Sequence, residues 1–421
     1  MNSAVESSSP LRQQLQRARA GLPALLALDA ASRNALIRQM ADALLRDQAQ
    51  ILQANQTDLA RAESANLSAA MIDRLRLDAE RLQALSLALQ QVAELPDPLR
   101  DDARVRMRDD GLRLRQVRAP LGVIAMIYES RPNVTADAAA LCLKAGNACV
   151  LRGGKEARES NLAIARSLQS ALQAAGLPTE LLRQLDDPDR SLLNELLRLD
   201  DLVDLVIPRG GEALIRFVAE HSRIPVIKHF KGVCHLFVDA EADLDQALAL
   251  LVDGKAQRPG VCNALECLLV DRRIAADFLP RVAGKMAQLQ VELRAAPEAL
   301  HWLPGAVANE EWGVEYLDRV LGIKLVDGLN AALDHIARYG SQHTEVICTR
   351  NADTAARFVR QVDASAVVVN ASSRFNDGGE LGLGAEIGIS TTKLHAYGPM
   401  GLDSLTCRKW VIEGQGHIRH R

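Results

Sequence analysis

Gly122-Val-Ile-Ala-Met-Ile-Tyr128 is an apolar run of strand length, and the segments around it repeat one pattern. A helical stretch follows at Ala136–Ala145, then a second apolar run at Ala148–Leu151 and a second helical stretch at Glu156–Ala175. Short apolar runs that alternate with helices indicate a parallel sheet covered by helices. This part of the chain therefore predicts an α/β domain.

The same alternation continues to the end of the chain. Leu202–Ile207 and Glu212–Ala219 predict a further strand and helix of the first domain. A second series of predicted strands follows, near His235–Val238, Cys267–Val270, Ile323–Val326, Glu345–Cys348 and Ala366–Val369. Before the first domain, apolar residues recur at helical spacing from Pro10 to about Leu95. The sequence therefore predicts two α/β domains preceded by a helical region.

The segment Arg104–Arg118 alternates with a period of two and contains the turn signal Asp110-Gly111, so it predicts a β-hairpin. With a two-residue turn, Arg108 faces Arg113 and Arg106 faces Arg115. Like charges placed directly opposite are destabilising. Either these arginines extend into water, or an acidic surface of a second subunit covers them.

Composition limits the partners. The chain has 421 residues, 48% of them apolar and 24% charged, with a net charge of −3, so we expect several globular domains and no attraction to nucleic acid or anionic lipid. Its longest apolar run, Ala119–Tyr128, is far shorter than the roughly 20 residues that cross a bilayer, and Met1–Gln16 is not typical of a signal peptide. Seven cysteines, an odd number, predict reduced thiols in the cytoplasm.

Three glycine-containing segments are candidates for phosphate binding. Gly382–Gly388 has one residue too many for a dinucleotide fingerprint and follows a polar loop, so we reject it. Pro208–Gly211 joins a predicted strand to a helix, as a phosphate loop or as a plain turn. Arg152–Lys155 places a lysine at a helix N-terminus, where the dipole disfavours cations. Either an anionic ligand binds there or the lysine is solvated.

The candidate nucleophile is a cysteine. No Gly-x-Ser-x-Gly elbow is present, and the histidines and cysteines lack the spacing of a metal site, so we predict no catalytic metal. Cys262 lies in Gln257–Asn263, a polar loop broken by proline and glycine, with Arg258 nearby to favour a thiolate. The alternative is a small buried hydrophobic residue.

Several motifs together resemble one family, the gamma-glutamyl phosphate reductases of the aldehyde dehydrogenase superfamily. They are Tyr128–Thr135, Leu143–Asn147, Arg152–Ala157, Ile207–Gly211, Arg258–Asn263, Gly382–Gly388 and Leu394–Gly401. The resemblance implies an aldehyde dehydrogenase-like α/β fold. It implies an NADPH-binding domain (residues 1–103 and 119–227), a catalytic domain (228–400) and a small β oligomerisation element (104–118 and 401–421).

The resemblance also assigns roles to residues. It implies that Cys262 is the nucleophile and that Asn133 donates to the oxyanion. For the cofactor it implies Lys155 at the adenosine ribose and its phosphate, Gly210 and Gly211 at a helix N-terminus, and Glu315 at the nicotinamide ribose. Candidate contacts to the substrate are Arg258, Ser373, Arg374, Lys393 and His395.

The implied reaction is NADPH-dependent reduction of L-glutamyl 5-phosphate to L-glutamate 5-semialdehyde through a cysteinyl thioester, in proline biosynthesis. His229 stands where aldehyde-oxidising relatives carry a water-activating glutamate, which fits reduction rather than hydrolysis. We expect a homo-oligomer, with possible coupling to a glutamate 5-kinase. Two alternatives are a CoA-acylating aldehyde dehydrogenase and a catalytically silent scaffold.

Overall fold

A computed structural model describes residues 9–101, 103–186 and 190–419. Residues 1–8, 102, 187–189, 420 and 421, which the predicted domains include, lie outside the described residues. The chain forms two compact units. The first comprises the residues up to Lys228, Leu383–Gly388 and the residues from Met400 on, and the second comprises His229–Gly382 and Ile389–Pro399. The roles predicted for the domains stay predictions.

The helices and strands of the first unit up to Lys228 have the following bounds. The helices are α1 Pro10–Leu26, α2 Ala30–Arg46, α3 Gln48–Ser64, α4 Ala69–Leu75, α5 Ala79–Glu94, α6 Asn133–Lys144, α7 Arg158–Ala174, α8 Arg190–Leu196 and α9 Glu212–His221. The strands are β1 Arg106–Met107, β2 Arg113–Pro120, β3 Val123–Tyr128, β4 Ala148–Arg152, β5 Leu182–Gln184 and β6 Leu205–Arg209.

Helices α1 to α5 confirm the predicted helical region. Side-chain oxygens of Ser9, Asp29, Ser68 and Asp78 accept hydrogen bonds from backbone N–H groups in the first turns of α1, α2, α4 and α5. The apolar residues Leu36, Ile37, Met40 and Leu44 of α2 are buried. Local capping and periodicity therefore suffice to place these helices.

The predicted parallel sheet of the first unit is present, with strand order β5-β4-β3-β6. Strand β3, the apolar run from which the fold class was inferred, is buried along its whole length. Helices α6 and α7 follow β3 and β4, so their N-termini lie at the carboxyl edge of the sheet, where α/β proteins bind ligands.

The predicted hairpin forms, but its predicted register is wrong by one residue. Arg106 pairs with Leu114 and Met107 with Arg113, so the arginines do not face one another. The reason is a three-residue loop in place of a two-residue turn: the N–H of Arg108 donates to Leu112 O at 3.0 Å, and Gly111 takes a positive φ of 85°. Acidic residues of the same chain pair with the arginines, including Asp403 at 2.8 Å from Arg118 and Glu413 at 3.7 Å from Arg113.

The remaining elements build the second unit and the C-terminal segment. The helices are α10 Leu244–Ala256, α11 Ala275–Gln288, α12 Gly328–Tyr339 and α13 Ala352–Gln361. The strands are β7 Cys234–Val238, β8 Leu265–Asp271, β9 Glu292–Ala295, β10 Val307–Ala308, β11 Val320–Val326, β12 Thr344–Cys348, β13 Ala366–Val369, β14 Gly388–Ser390, β15 Gly398–Met400 and β16 Thr406–Glu413.

A parallel sheet of order β10-β9-β11-β8-β7-β12-β13 forms the centre of the second unit. The five strands predicted for this series are all present. Strands β9 and β10, at one end of this sheet, were not predicted, because they are short and lack an apolar run. Strand β16 pairs antiparallel with β2 and, together with β1, completes a three-stranded sheet that we call the arm.

Gly382–Gly388 lies in a loop that leads into β14, a strand, so the rejection of a dinucleotide fingerprint there is confirmed. Within the described ranges, no helix has the length and hydrophobicity needed to span a membrane.

Candidate active site

Cys262 lies in a turn of the loop that joins α10 to β8 and is half-buried. The other six cysteines differ: Cys407 is exposed on the arm, and five are buried. A thiol that is reachable but partly enclosed is the environment that a nucleophilic cysteine requires. Its predicted neighbour Arg258, in the same loop, is exposed.

Gly232 packs directly against the backbone of Cys262. A Cβ atom at Gly232 would lie 2.0 Å from the carbonyl oxygen of Cys262 and 2.8 Å from its Cα, so only glycine fits. The N–H of Gly232 donates to Glu315 Oε1 at 2.8 Å. Glu315, predicted at the nicotinamide ribose, is thus linked to the nucleophile loop through one residue.

The side chain of Cys234 contacts the same loop, and that of His343 contacts Cys234. The buried thiol of Cys234 donates to Cys262 O at 3.2 Å, and burial raises its pKa, so it remains protonated. Cys234 Sγ also lies 3.8 Å from His343 Nδ1. Burial, with the nearby His229, lowers the pKa of His343 to about 3, so that this ring is neutral. His229 Nδ1 lies 3.1 Å from Ile389 O, which a protonated Nδ1 can use as an acceptor.

The predicted substrate loop supports the residue next to the nucleophile. The hydroxyl of Ser373 donates to Asn263 O at 2.7 Å and is buried, and Asn263 Nδ2 donates to the carbonyls of Arg374 and Asn376 at 3.3 and 3.2 Å. The structure therefore brings Ser373 and Arg374 to the Cys262 loop. The hydroxyl proton of Ser373 is already used in the hydrogen bond to Asn263 O.

Lys393 and His395 lie on an exposed segment. Lys393 Nζ pairs with Asp363 Oδ1 at 2.5 Å, and Tyr397 Oη donates to the same oxygen at 3.3 Å. An anionic substrate would have to compete with this carboxylate for Lys393.

A buried ion pair, which the sequence analysis missed, links three parts of the second unit. Lys255 Nζ, at the end of α10, lies 2.6 Å from Glu266 Oε2 at the start of β8, and Glu266 Oε1 accepts the N–H of Leu317 at 3.1 Å. Burial raises the pKa of Glu266 to about 7. The pair connects the two ends of the Cys262 loop to the segment that carries Glu315.

Asn133 is the first residue of α6, in the first unit, and its side chain is exposed. Its Nδ2 donates to Asp137 Oδ2 at 3.0 Å, one helical turn away. Burial raises the pKa of Asp137 to about 6. One amide hydrogen of Asn133 is therefore used in this bond, and the second remains available to an oxyanion.

Carboxylates of the chain itself occupy the two helix N-termini that were candidates for phosphate binding. The N–H of Gly211, at the start of α9, donates to Glu129 Oε2 at 2.8 Å. The N–H groups of Glu159 and Ser160, at the start of α7, donate to Asp58 at 3.2 and 2.8 Å. A cofactor phosphate at Gly210 and Gly211 would have to displace the exposed Glu129.

Lys155 is exposed and begins a 3₁₀ turn, Lys155–Ala157, ahead of α7. It lines a small cleft at the carboxyl ends of β4 and β5. The other lining residues are Gly153, Gly154, Arg158, Asn161, Gln184, Leu185 and Asp186. Asn161 Nδ2 in this lining is buried and lacks a hydrogen-bond partner among the described residues.

The sequence motifs found Cys262 but not Gly232, Cys234, His343 or the Lys255–Glu266 pair, which act through contacts distant in sequence. Of the predicted residues, Cys262, Glu315, Ser373 and Arg374 meet around one loop of the second unit. The predicted residues Asn133, Lys155, Gly210 and Gly211 lie in the first unit.

Comparisons with known proteins agree with this picture. Residues 5–311 match the model of the aldehyde dehydrogenase family. A gamma-glutamyl phosphate reductase of Xanthomonas campestris is 55% identical over 93% of this chain and 95% of its own length, and one of Xylella fastidiosa is 54% identical over 98% and 97%.

The solved structure of gamma-glutamyl phosphate reductase from Thermotoga maritima has a TM-score of 0.96 and 40% identity, and the match covers 98% of this chain and 100% of that one. An acetylating aldehyde dehydrogenase from Geobacillus thermoglucosidasius shares the fold, with a TM-score of 0.65 at 19% identity. The chain therefore belongs to the gamma-glutamyl phosphate reductases within the aldehyde dehydrogenase family, and it is an oxidoreductase that acts on an aldehyde group.

Proposed function

We propose that this chain reduces L-glutamyl 5-phosphate to L-glutamate 5-semialdehyde with NADPH, through a thioester on Cys262. The observation that carries the proposal is the setting of Cys262, the one cysteine of the seven that is half-buried in a loop held from several sides. The relatives named above supply the substrate class.

In the proposed reaction, the Cys262 thiolate attacks the acyl carbon and forms a C–S bond, and the developing oxyanion receives hydrogen bonds from Asn133 and the N–H of Cys262. The oxyanion collapses, the C–O bond to phosphate breaks and inorganic phosphate leaves. NADPH then transfers hydride to the thioester carbon and becomes NADP⁺. The hemithioacetal releases the thiolate and the semialdehyde, which cyclises to 1-pyrroline-5-carboxylate.

The surroundings of Cys262 suit reduction better than hydrolysis. The Cys234 thiol lies beneath the loop and stays protonated, and His343 is neutral, so neither adds a negative charge under the thioester. His229, in place of a water-activating glutamate, directs Nδ1 to Ile389 O. A thioester that water does not attack survives until hydride arrives.

The choice of NADPH rests on Lys155, which is exposed at the cleft, because Arg158 in the same lining already pairs with Glu159 and Asp186. An engineered glycolyl-CoA reductase of the same fold holds NADP⁺ in its solved structure.

Lys155→Ala should raise KM for NADPH by roughly 10- to 100-fold with little change in kcat, because one charge-assisted contact is worth about 1.5–3 kcal/mol. Steady-state kinetics test this, with Lys285→Ala on α11 as the control. An unchanged KM would move the anionic end of the cofactor elsewhere.

The reverse reaction tests the proposed function, because the acyl phosphate is labile. Semialdehyde should reduce NADP⁺ over many turnovers only when inorganic phosphate is present. Cys262→Ser should abolish this rate, since a serine hydroxyl is a poor nucleophile without a base. Cys407→Ser, at the exposed cysteine of the arm, is the matched control.

Three outcomes would contradict the proposal. Turnover that requires coenzyme A instead of phosphate would identify a CoA-acylating enzyme. Phosphate-dependent turnover that survives in Cys262→Ser would exclude the thioester. Absence of any turnover, together with equal alkylation rates at all cysteines, would favour the silent scaffold.

The proposal includes self-association through the arm. On one face of β16 the arm exposes Trp410 at 59% and Ile412 at 62%, values unusual for large apolar residues. A second copy of the chain is the partner expected to cover them. Coupling to a glutamate 5-kinase stays a prediction.

A further inference from the structure

Three side chains of types that can bind a metal ion converge inside the second unit, in a place that the reaction above does not use. His235 lies on β7, Cys267 on the neighbouring β8 and His335 on α12, and His235 and Cys267 are direct partners across the two strands. Their ligand atoms all lie within 4.8 Å of one another, and Cys267 Sγ is 3.8 Å from His335 Nε2. All three side chains are buried.

A carboxylate fixes the orientation and the tautomer of His235. Glu345 Oε2, on β12, lies 2.9 Å from His235 Nδ1 and accepts the backbone N–H of His235 at 3.2 Å. With Nδ1 directed at Glu345, Nε2 is the ring atom of His235 left for a metal ion, and any proton that it carries is released on binding. That atom is buried and has no hydrogen-bond partner among the described residues.

Such an unsatisfied atom is costly in a protein interior, and it is the atom that a metal ion would take. Histidines that bind metals commonly donate their other ring N–H to a carboxylate, as His235 does toward Glu345. The contact between Glu345 and His235 Nδ1 and the convergence of the three residues are separate observations that agree.

We propose that His235, Cys267 and His335 bind one zinc ion, with Glu345 as the residue that positions His235. Two imidazoles and a thiolate suit zinc, whereas magnesium and calcium prefer oxygen ligands. Zinc–nitrogen and zinc–sulfur bonds of about 2.0–2.3 Å place tetrahedral ligands roughly 3.3–3.7 Å apart. The three side chains therefore need only a small inward movement, and Cys267 releases its proton on binding.

The expected role of the ion is structural. The site joins β7, β8 and α12 inside an apolar cluster that includes Phe237, Leu269 and Ile336. Binding to the folded chain and not to the unfolded one stabilises the fold by mass action. The proposal does not depend on the proposed function, because no step of that reaction passes through these residues.

Metal binding is measured on the full-length protein after chelator treatment, by titration with Co²⁺ and then Zn²⁺. We expect one equivalent of cobalt with a thiolate-to-cobalt absorption band, its displacement by one equivalent of zinc, and a higher unfolding temperature with zinc. Cys267→Ala and His335→Gln should lose the band and the thermal shift. Cys348→Ala, at a buried cysteine on β12, is the matched control.

Two results would overturn the proposal. One is the absence of stoichiometric binding and of the absorption band in the unsubstituted protein, which requires no variant to fold. It would leave His235 and Glu345 as a simple buried pair. The other is a cobalt band of equal intensity in the unsubstituted protein and Cys267→Ala, since another thiol would then be the ligand.

Discussion

Asp137 accepts a hydrogen bond from Asn133, and its carboxyl group ionises close to neutral pH. Its carboxylate accepts the Asn133 amide at 3.0 Å, and burial raises its pKa to about 6. As pH falls through 6, Asp137 gains a proton and loses its charge-assisted hold on Asn133. We expect kcat/KM of the unsubstituted enzyme to decline below an apparent pKa near 6.

Asp137→Asn separates this effect from other titrations. The variant keeps the size of the side chain but cannot ionise, so the acid limb near pH 6 should disappear while the activity above pH 7 is reduced. The pH dependence of the reverse reaction measures both. If the limb persists unchanged in Asp137→Asn, Asp137 is not the group that titrates.

A substitution at Gly232 tests whether the backbone position of the nucleophile limits the rate. In Gly232→Ala the new methyl group would lie 2.0 Å from Cys262 O, so the loop must move by about 1 Å or more. A displacement of that size can cost about 100-fold in activity. We expect a loss of this order in kcat/KM, with circular dichroism unchanged.

Gly284→Ala provides the control, because nothing lies within 4 Å of a Cβ at that position of α11. If Gly232→Ala retains nearly full activity, the loop tolerates the movement and the contact has no positioning role.

Single residues could be predicted from sequence only where the local context is unusual. Cys262 stands out because proline and glycine surround it in a polar loop. Gly232 and Lys255 do not stand out, since their partners Cys262 and Glu266 are reached through folding. The Glu129 carboxylate at Gly211 was missed for the same reason: 82 residues separate the two.

Whole elements were more predictable than their pairing. Each predicted strand of the two parallel sheets exists, because an apolar run needs only burial to be recognised. The register of the hairpin depended on one additional loop residue, and that residue reversed which side chains face each other. The facing arginines that suggested an acidic partner surface are therefore absent, and the case for assembly now rests on apolar exposure.

The arm offers a direct test of assembly. Trp410→Glu combined with Ile412→Glu places charges on the apolar face of β16, so a subunit interface there should dissociate. Sedimentation at micromolar concentration should give an oligomer for the unsubstituted protein and monomers for the double variant. Cys407→Glu, exposed on the opposite face of the strand, is the control. A monomeric unsubstituted protein would exclude the arm as an interface.

At the scale of the whole molecule, the fold class and the reaction class followed from different signals. Alternating strands and helices indicated two α/β domains, while only the combined motifs distinguished this enzyme from other cysteine-dependent oxidoreductases. Spacing alone left Pro208–Gly211 and Arg152–Lys155 undecided. In the structure, the N–H groups at the N-termini of the helices that follow both segments already donate to carboxylates of the chain. The periodicity of the sequence does not reveal these contacts.

Whether the thioester is reduced or hydrolysed is a property of the complete enzyme, and we expect it to depend on the residue at position 229. His229→Glu would introduce the water-activating carboxylate of aldehyde-oxidising relatives, and His229→Gln is the control that adds no base. With semialdehyde and NADP⁺ but no phosphate, the unsubstituted enzyme and His229→Gln should form NADPH once per active site and then stall at the thioester. His229→Glu should continue, at about 10- to 100-fold the residual rate, and release free glutamate. If it also stalls, either His229 does not occupy the position of that glutamate, or the pocket keeps water out by other means.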